Sequence, residues 1–191
     1  MRMRRVTIKL VAVCLASLFT VACGSDYRGY GEFTDNGAGA AMERYMVDFG
    51  KVHLGKPGQK AFKMAGLPHV EFTMGLRPAT SPDCDKPGLD KVVIELDVQA
   101  EDGAVVVHEE GPLGDWTASS SIVYRRGAER VESLPGGASR HVRIDVHTAQ
   151  GWGTYFTPES SATYLAKFYV RETEGMTGCQ TRLVLLGGGW K

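Results

Sequence analysis

Apolar and polar residues alternate with a period of two along most of the chain, which is the pattern of β-strands with one buried face. The alternation is clearest between Val92 and Val98, and the strong hairpin signal Asp102-Gly103 follows soon after. It predicts strands over residues 45–49, 61–65, 70–76, 92–98, 105–107, 119–126, 141–147, 163–171 and 181–186.

No stretch of ten or more residues repeats its apolar positions with the 3.6-residue period of a helix, and the one helical signal is a turn near residues 40–43. Short strands separated by clusters of Gly, Pro, Asp and Ser are typical of all-β domains. We therefore predict an antiparallel, immunoglobulin-like β-sandwich of about nine strands, with Trp116 as a candidate buried core tryptophan.

The first 22 residues have a different character from the rest. Four basic residues occupy the first nine positions, an apolar run covers residues 10–19, and Thr20-Val21-Ala22 precedes Cys23. This is the arrangement of a secretory signal peptide. The apolar run is too short to cross a hydrocarbon layer of about 30 Å.

The net charge of the chain changes when the leader is left out of the count. The whole chain has 22 basic and 22 acidic residues, but four of the basic and none of the acidic residues lie in the leader. The remaining chain is therefore acidic, which argues against nucleic acid as a partner, because such proteins carry a basic face.

The segment Thr20-Val21-Ala22-Cys23 resembles the lipobox of bacterial lipoproteins, in which a small residue stands directly before the acylated cysteine. The resemblance implies removal of residues 1–22 and acylation of Cys23. Gly24, in place of aspartate, implies sorting to the outer membrane, with the protein facing the periplasm. Several acyl chains make a lasting anchor, whereas one chain holds weakly. The alternative is an ordinary secretory leader that is cut elsewhere.

The domain boundaries follow from the leader and from glycine content. Five glycines between residues 24 and 40 predict a flexible tether, so we assign 1–22 to the signal peptide, 23–41 to the lipidated cysteine and tether, and 42–191 to the β-sandwich. Tyr27, Tyr30 and Phe33 lie within the tether, where they would contact the domain, the lipid interface or a partner.

Two cysteines remain after Cys14 is removed with the leader and Cys23 is acylated. Cys84 and Cys179 lie in turn-like contexts of an exported and therefore oxidising setting, which predicts a disulfide between them. Closing a loop of about 95 residues would stabilise the fold by about 4–5 kcal/mol. Two buried free thiols are the alternative.

Motifs for hydrolase elbows, zinc helices, phosphate loops and dinucleotide binding are absent from the sequence. The strongest polar cluster has His141, Arg143, Asp145 and His147 on one face of a predicted strand, which is either a metal or acid–base site or a solvated face. Two weaker clusters are likewise either functional sites or solvated surface residues. They are His108 with Glu110, and Asp83 with Asp85 and Asp90. We assign no catalytic residue, metal or cofactor.

Three aromatic residues, Trp152, Tyr155 and Phe156, lie in a segment bounded by glycines. Aromatic residues on a sandwich loop are typical anchors for a partner or a glycan, so we predict an interaction loop here. The alternative is a loop that folds back onto the core. Trp190 near the C-terminus has the same two interpretations, an interaction residue or a residue that packs on the core.

The body of the chain resembles small, uncharacterised β-sandwich lipoproteins of Gram-negative bacteria. The features that carry this resemblance are Tyr45-Met46-Val47, Gly66-Leu67-Pro68 and Leu113-Gly114-Asp115-Trp116. That family has no functional residues to transfer.

The sequence as a whole predicts a lipid-anchored binding or protein-interaction module rather than an enzyme. Its partners would be the membrane, through the lipid, and another envelope protein. The first alternative is an assembly or immunity lipoprotein of a secretion system. The second is a hydrolase of envelope glycans or peptides that would use His141, Asp145 and His147.

Overall fold

The computed structural model describes residues 26–78, 82–85, 87–118, 122–124, 129–133, 139–143, 154–173 and 175–188, of which 129–133 and 139–143 are described by their backbone pairing. Apart from four short 3₁₀ turns, the regular structure of these residues is β-strand. The strands are β1 (Arg28–Gly29), β2 (Glu32–Asp35), β3 (Tyr45–His53), β4 (Gly58–Ala65), β5 (Phe72–Leu76), β6 (Val93–Ala100), β7 (Val105–Pro112), β8 (Thr117–Ala118), β9 (Val123–Tyr124), β10 (Glu129–Ser133), β11 (Ser139–Arg143), β12 (Tyr155–Phe156), β13 (Thr163–Glu172) and β14 (Gln180–Gly187). The 3₁₀ turns are Ala38–Glu43, Pro82–Cys84, Leu89–Lys91 and Leu113–Asp115.

The strands form two antiparallel sheets and a separate hairpin. The first sheet has five strands in the order β1-β4-β13-β6-β7. The second has seven strands in the order β2-β3-β14-β5-β9-β8, with β12 also paired to β5, while β10 pairs with β11. The chain passes from one sheet to the other several times. The predicted all-β fold is confirmed as an antiparallel β-sandwich.

The core lies between the two sheets and is made by the alternation that the sequence displays. In β6 and β13 the inward residues Ile94, Leu96 and Phe168 are buried, and Val47 and Phe49 of β3 meet them from the second sheet. Burying each such side chain contributes about 1.5–3 kcal/mol. The turn between β6 and β7 also forms as predicted, because Gly103 takes φ +88° and its N–H donates to the oxygen of Ala100.

The segment predicted as a flexible tether is part of both sheets. Arg28 pairs with Ala65 of β4, and Phe33 pairs with Val47 of β3. Gly31 carries the chain from the first sheet to the second at φ +96°, where a Cβ atom would lie 2.7 Å from the oxygen of Asp48. The glycines therefore allow a close crossing instead of conferring flexibility. The tether prediction over 23–41 is wrong from β1 onward, and the folded domain begins well before residue 42.

The predicted disulfide is confirmed. Cys84 and Cys179 are bonded across 95 positions of the chain, and both are buried. The bond joins the 3₁₀ turn Pro82–Cys84 to the turn that precedes β14. It therefore fixes the connection between β5 and β6 at one end of the sandwich.

The two ends of the sandwich differ. At one end, which we call the entry end, β4 and β6 finish and the backbone of Asp26 packs against Gly66. At the other end, which we call the cleft end, β6 and β14 begin and the disulfide is found. The length of β6 separates the two ends by about 23 Å.

Candidate binding cleft beside the disulfide

A cleft of about 440 Å³ opens at the cleft end of the sandwich. Apolar side chains from strands of the second sheet and from the turns and connections beside them make up most of its wall. The lining residues are Leu54, Leu76, Arg77, Cys84, Asp85, Pro87, Gly88, Leu89, Asp90, Leu113, Gly114, Trp116, Val123 and Thr181. Its volume lies in the range of small-molecule sites, roughly 300–1,000 Å³.

Two 3₁₀ turns shape one wall of the cleft. The turns Leu89–Lys91 and Leu113–Asp115 pack together, and the N–H of Leu113 donates to the oxygen of Val92 at 2.8 Å. A Cβ atom on Gly114 would come within 3.1 Å of the oxygen of Asp90, so a glycine suits this contact. Trp116 follows this turn, and its backbone N–H donates to the backbone oxygen of Leu113 at 3.0 Å.

Trp116 is the most informative residue of the lining. Its side chain is buried, with 6% of the residue exposed, but the indole Nε1–H has no hydrogen-bond partner among the residues that the structure describes. Buried tryptophan N–H groups usually find an acceptor, and leaving such a donor unpaired costs about 1–3 kcal/mol. An acceptor on a molecule bound against the indole would remove this cost.

Two of the polar side chains that line the cleft already have partners within the protein. The guanidinium of Arg77 pairs with the carboxylate of Glu43 at 3.4 Å. The hydroxyl of Thr181 donates to the backbone oxygen of Arg77 at 2.5 Å. Asp85 and Asp90 are exposed at the rim, where water solvates them. The wall of the cleft is therefore mostly apolar, and the buried indole of Trp116 forms part of it.

A second cluster, on the outer face of the first sheet, is an ion-pair network. The Nδ1 atom of His108 lies 2.5 Å from a carboxylate oxygen of Asp97, directly across the β6–β7 pair. The hydrogen bond that the imidazole donates to the carboxylate of Asp97 raises the pKa of His108, against a smaller opposing effect of burial. Glu95 is buried and accepts from the guanidinium of Arg171, with Nε at 2.7 Å.

This network also bears on metal binding. Ligand atoms of Glu95, Asp97 and His108 lie within 4.8 Å of one another, so the three residues have the composition of a metal site. A cation there would compete with Arg171 for Glu95 and would have to separate His108 from Asp97. Each group already has a partner of opposite charge, which favours a structural role. The sequence-predicted pair of His108 with Glu110 is thus replaced by His108 with Asp97.

The predicted interaction loop is corrected by the structure. Tyr155 and Phe156 form β12, pair with β5, and are both buried. Phe156 packs beside Phe72 and Tyr164, and Tyr155 packs edge-on against Tyr124. These two side chains fold back onto the sandwich, which was the alternative interpretation. Trp152 lies outside the described residues.

Other sequence-predicted sites fall partly or wholly outside the described residues. His141 belongs to β11, whereas Asp145 and His147 lie beyond the described part of that segment. The signal peptide, Cys23 and Trp190 also lie outside it. Among the three aspartates of the disulfide region, Asp85 and Asp90 line the rim of the cleft, and Asp83 packs beside Gly178.

The chain matches no protein-family model, no curated protein and no solved structure. Across the part of the chain that the structure describes, no helix has the length and apolar character needed to cross a membrane.

Sequence reasoning missed the cleft. Its wall comes from separate segments that span residues 54 to 181, so no local motif marks it. One available signal was Leu113-Gly114-Asp115-Trp116, where a glycine turn leads directly into a tryptophan after a strand.

Proposed function

We propose that this protein is a lipid-anchored, periplasm-facing binding protein whose cleft takes a small apolar ligand that carries a hydrogen-bond acceptor. The observation that carries the proposal is the mostly apolar wall of the cleft, to which Trp116 contributes a buried indole whose Nε1–H has no hydrogen-bond partner among the described residues. The apolar wall would supply affinity, and the indole donor would orient the ligand.

The position of the cleft supports this function for an anchored protein. If Cys23 is acylated, only Gly24 and Ser25 separate it from Asp26, and a chain of three steps reaches about 10 Å at most. Asp26 packs at the entry end, and the cleft lies at the opposite end. In this arrangement the cleft would open away from the bilayer and receive a ligand from the periplasm.

A fluorescent probe tests the cleft directly. Prodan, a neutral naphthalene dye with one ketone oxygen, has the apolar body and the acceptor that the cleft favours. Titration into the purified protein should give saturable binding with blue-shifted emission. Leu89→Trp should fill part of the cleft and lower the affinity at least several-fold. Leu165→Trp introduces the same side chain on the first sheet, away from the cleft, and serves as the matched control.

Thermal unfolding of both variants would show that they remain folded. Mass spectrometry of solvent extracts would show whether a small molecule co-purifies with the wild type and is lost from Leu89→Trp. The proposal fails if prodan binds equally well to all three proteins, or to none, and no small molecule co-purifies. A protein partner that competes with prodan would instead identify the cleft as a docking site for an apolar side chain.

A further inference from the structure

Two large apolar side chains are exposed in the described part of the chain, and both lie at the entry end of the first sheet. Tyr30 is 58% exposed and Leu165 is 38% exposed. Lys63 connects them, because its backbone oxygen accepts the N–H of Tyr30 at 2.8 Å and Leu165 is its partner on the neighbouring strand. Since adjacent strands lie about 4.8 Å apart, the backbones of Tyr30 and Leu165 are separated by roughly 10 Å.

These residues, together with Arg28 at the start of β1, form what we call the entry patch. Tyr30 is held firmly, because its ring packs 5.2 Å from that of Phe62 and its carbonyl accepts the hydroxyl of Tyr27 at 2.6 Å. Its exposed ring is therefore presented by the fold rather than by a loose segment. Arg28 and Lys63 are exposed and give the patch two positive charges.

We infer that the entry patch is the face on which the anchored domain rests against the bilayer, with Tyr30 and Leu165 at the level of the lipid headgroups. The inference rests on the proposed acylation of Cys23. Because Asp26 already packs against Gly66 at this end, the proposed lipid would attach within a few residues of the patch. No long spacer would then allow the domain to move away from the surface.

The chemistry of the patch fits a lipid surface. Tyrosine is enriched at the membrane–water interface, where its ring and hydroxyl meet both environments. Arginine and lysine extend their apolar stems along such a surface and place their charges among anionic headgroups. Each contact is weak alone, but an attached lipid raises the local concentration of the bilayer and makes weak contacts effective.

Charge also sets which side of the entry end faces the lipid. Glu101 and Asp102 are exposed in the β6–β7 turn, two strands away from β4, and anionic headgroups would repel them. Asp26, beside the patch, offsets part of its positive charge. The remaining asymmetry would tilt the sandwich so that the β1–β4 edge lies lowest.

Fluorescence quenching by brominated lipids tests this orientation. The full-length chain would be produced in a bacterial host, extracted from membranes in detergent, and reconstituted into vesicles of phosphatidylethanolamine and phosphatidylglycerol. Three variants each carry one added tryptophan. Tyr30→Trp and Leu165→Trp place it in the entry patch, near the proposed bilayer surface, and Lys91→Trp places it at the cleft end, far from that surface. The native tryptophans give the same background in all three proteins.

We expect brominated lipids to quench the added emission of Tyr30→Trp and Leu165→Trp, and to leave that of Lys91→Trp unchanged. Equal quenching of all three, or stronger quenching of Lys91→Trp, would overturn the inference. Flotation of the vesicles on a density gradient reports the anchor separately. Protein that fails to float contradicts the proposed anchor and the inference together, whereas floating protein without selective quenching contradicts the inference alone.

Discussion

Trp116 joins the fold and the proposed ligand site in a single residue. The sequence suggested it as a core tryptophan, and it is indeed buried. It also forms part of the cleft wall, and its indole N–H has no hydrogen-bond partner in the described part of the chain. A core residue alone would be expected to have its polar atom satisfied. Thr73 Oγ1 is also buried without a hydrogen-bond partner among the described residues, so the argument for a role in binding rests on the position of Trp116 in the cleft wall.

Replacing Trp116 by phenylalanine keeps an aromatic ring and removes the donor. We expect only a small change in the free energy of unfolding, because relief of the unpaired N–H offsets the lost ring area. Binding of prodan should weaken by about 0.5–1.5 kcal/mol, or roughly 2- to 12-fold, because the hydrogen bond to its ketone is lost. Fluorescence titration and thermal unfolding measure the two effects.

The control ligand is 2-dimethylaminonaphthalene, which lacks the ketone and should bind Trp116→Phe and the wild type alike. Tyr164→Phe is a control variant, since it removes a polar atom from a buried aromatic residue far from the cleft. An equal loss for both ligands would mean that the indole contributes only its apolar surface.

His108 predicts how stability depends on pH. The hydrogen bond that the imidazole donates to Asp97 raises the pKa of His108 in the folded protein above its value in the unfolded chain. The protonated form therefore stabilises the fold at pH values below the unfolded pKa of about 6.5, and this contribution disappears as the pH rises through the folded pKa. Because the imidazole is half exposed, the effect should be well under about 1 kcal/mol.

The measurement is urea unfolding of the wild type and His108→Gln at pH 5.5 and pH 8.5. The wild type should be the more stable of the two by a larger margin at the lower pH. In the background of Asp97→Asn, the same substitution should lose this pH dependence, because the partner charge is gone. A margin that is larger at pH 8.5 would show that the sign is wrong.

At the scale of elements, period-two alternation identified the long strands of both sheets. It worked because β3, β6 and β13 each direct alternate apolar residues into the core, while most residues of the opposite face are less buried. Glu95 of β6 is buried through its ion pair with Arg171. The alternation was less informative for β5, in which all five residues are buried. Ile122, Tyr124 and Tyr155 belong to a second small core with Val184 and Leu186 of β14, so the second sheet is covered on both faces.

The elements that sequence reasoning missed have physical explanations. β1 and β2 have only two and four residues and lie in a segment rich in glycine, so they lack the alternation and β-branched content that mark a strand. They form because β4 and β3 offer edges to pair with. Tyr155 and Phe156 looked like a displayed loop because burial by a distant strand leaves no local signal. Both errors concern long-range pairing.

The disulfide fixes the element that carries one wall of the cleft. Cys84 lines the cleft, and the bond ties its turn to the start of β14. Replacing both cysteines by alanine should lower the free energy of unfolding by about 4–5 kcal/mol, because the unfolded chain regains the entropy of a loop of about 95 residues. Prodan affinity should fall as well, since the turn Pro82–Cys84 is no longer fixed.

Guanidinium unfolding with and without a reductant measures this contribution. Under oxidising conditions the double variant should unfold at lower denaturant, and under reducing conditions the two proteins should converge. Convergence is the internal control, because it assigns the difference to the bond rather than to the substituted side chains. A variant that remains as stable as the oxidised wild type would contradict the prediction.

At the scale of the whole molecule, the two ends of the sandwich divide the proposed tasks. The entry end carries Asp26 and the entry patch, and the cleft end carries the disulfide and the proposed ligand site. This division was hidden from the sequence, because the predicted tether would have let the domain rotate freely. Pairing of β1 with β4 removes that freedom. It ties the orientation of the cleft to the place where the proposed lipid is attached.

The anchor itself is tested by Cys23→Ser. Serine cannot form the thioether, so the precursor should remain unprocessed or appear in the soluble fraction, and the wild type should fractionate with membranes. Metabolic labelling with an alkyne fatty acid should mark the wild type only. Cys14→Ser, within the apolar run of the leader, is the matched control and should leave both results unchanged. Because the disulfide and the cleft lie at the end of the sandwich opposite to Asp26, loss of the lipid should leave the disulfide, the cleft and prodan binding intact in the released domain. A Cys23→Ser protein that still sediments with membranes and takes up the label would place the lipid elsewhere, and the proposed orientation of the cleft would have to be abandoned.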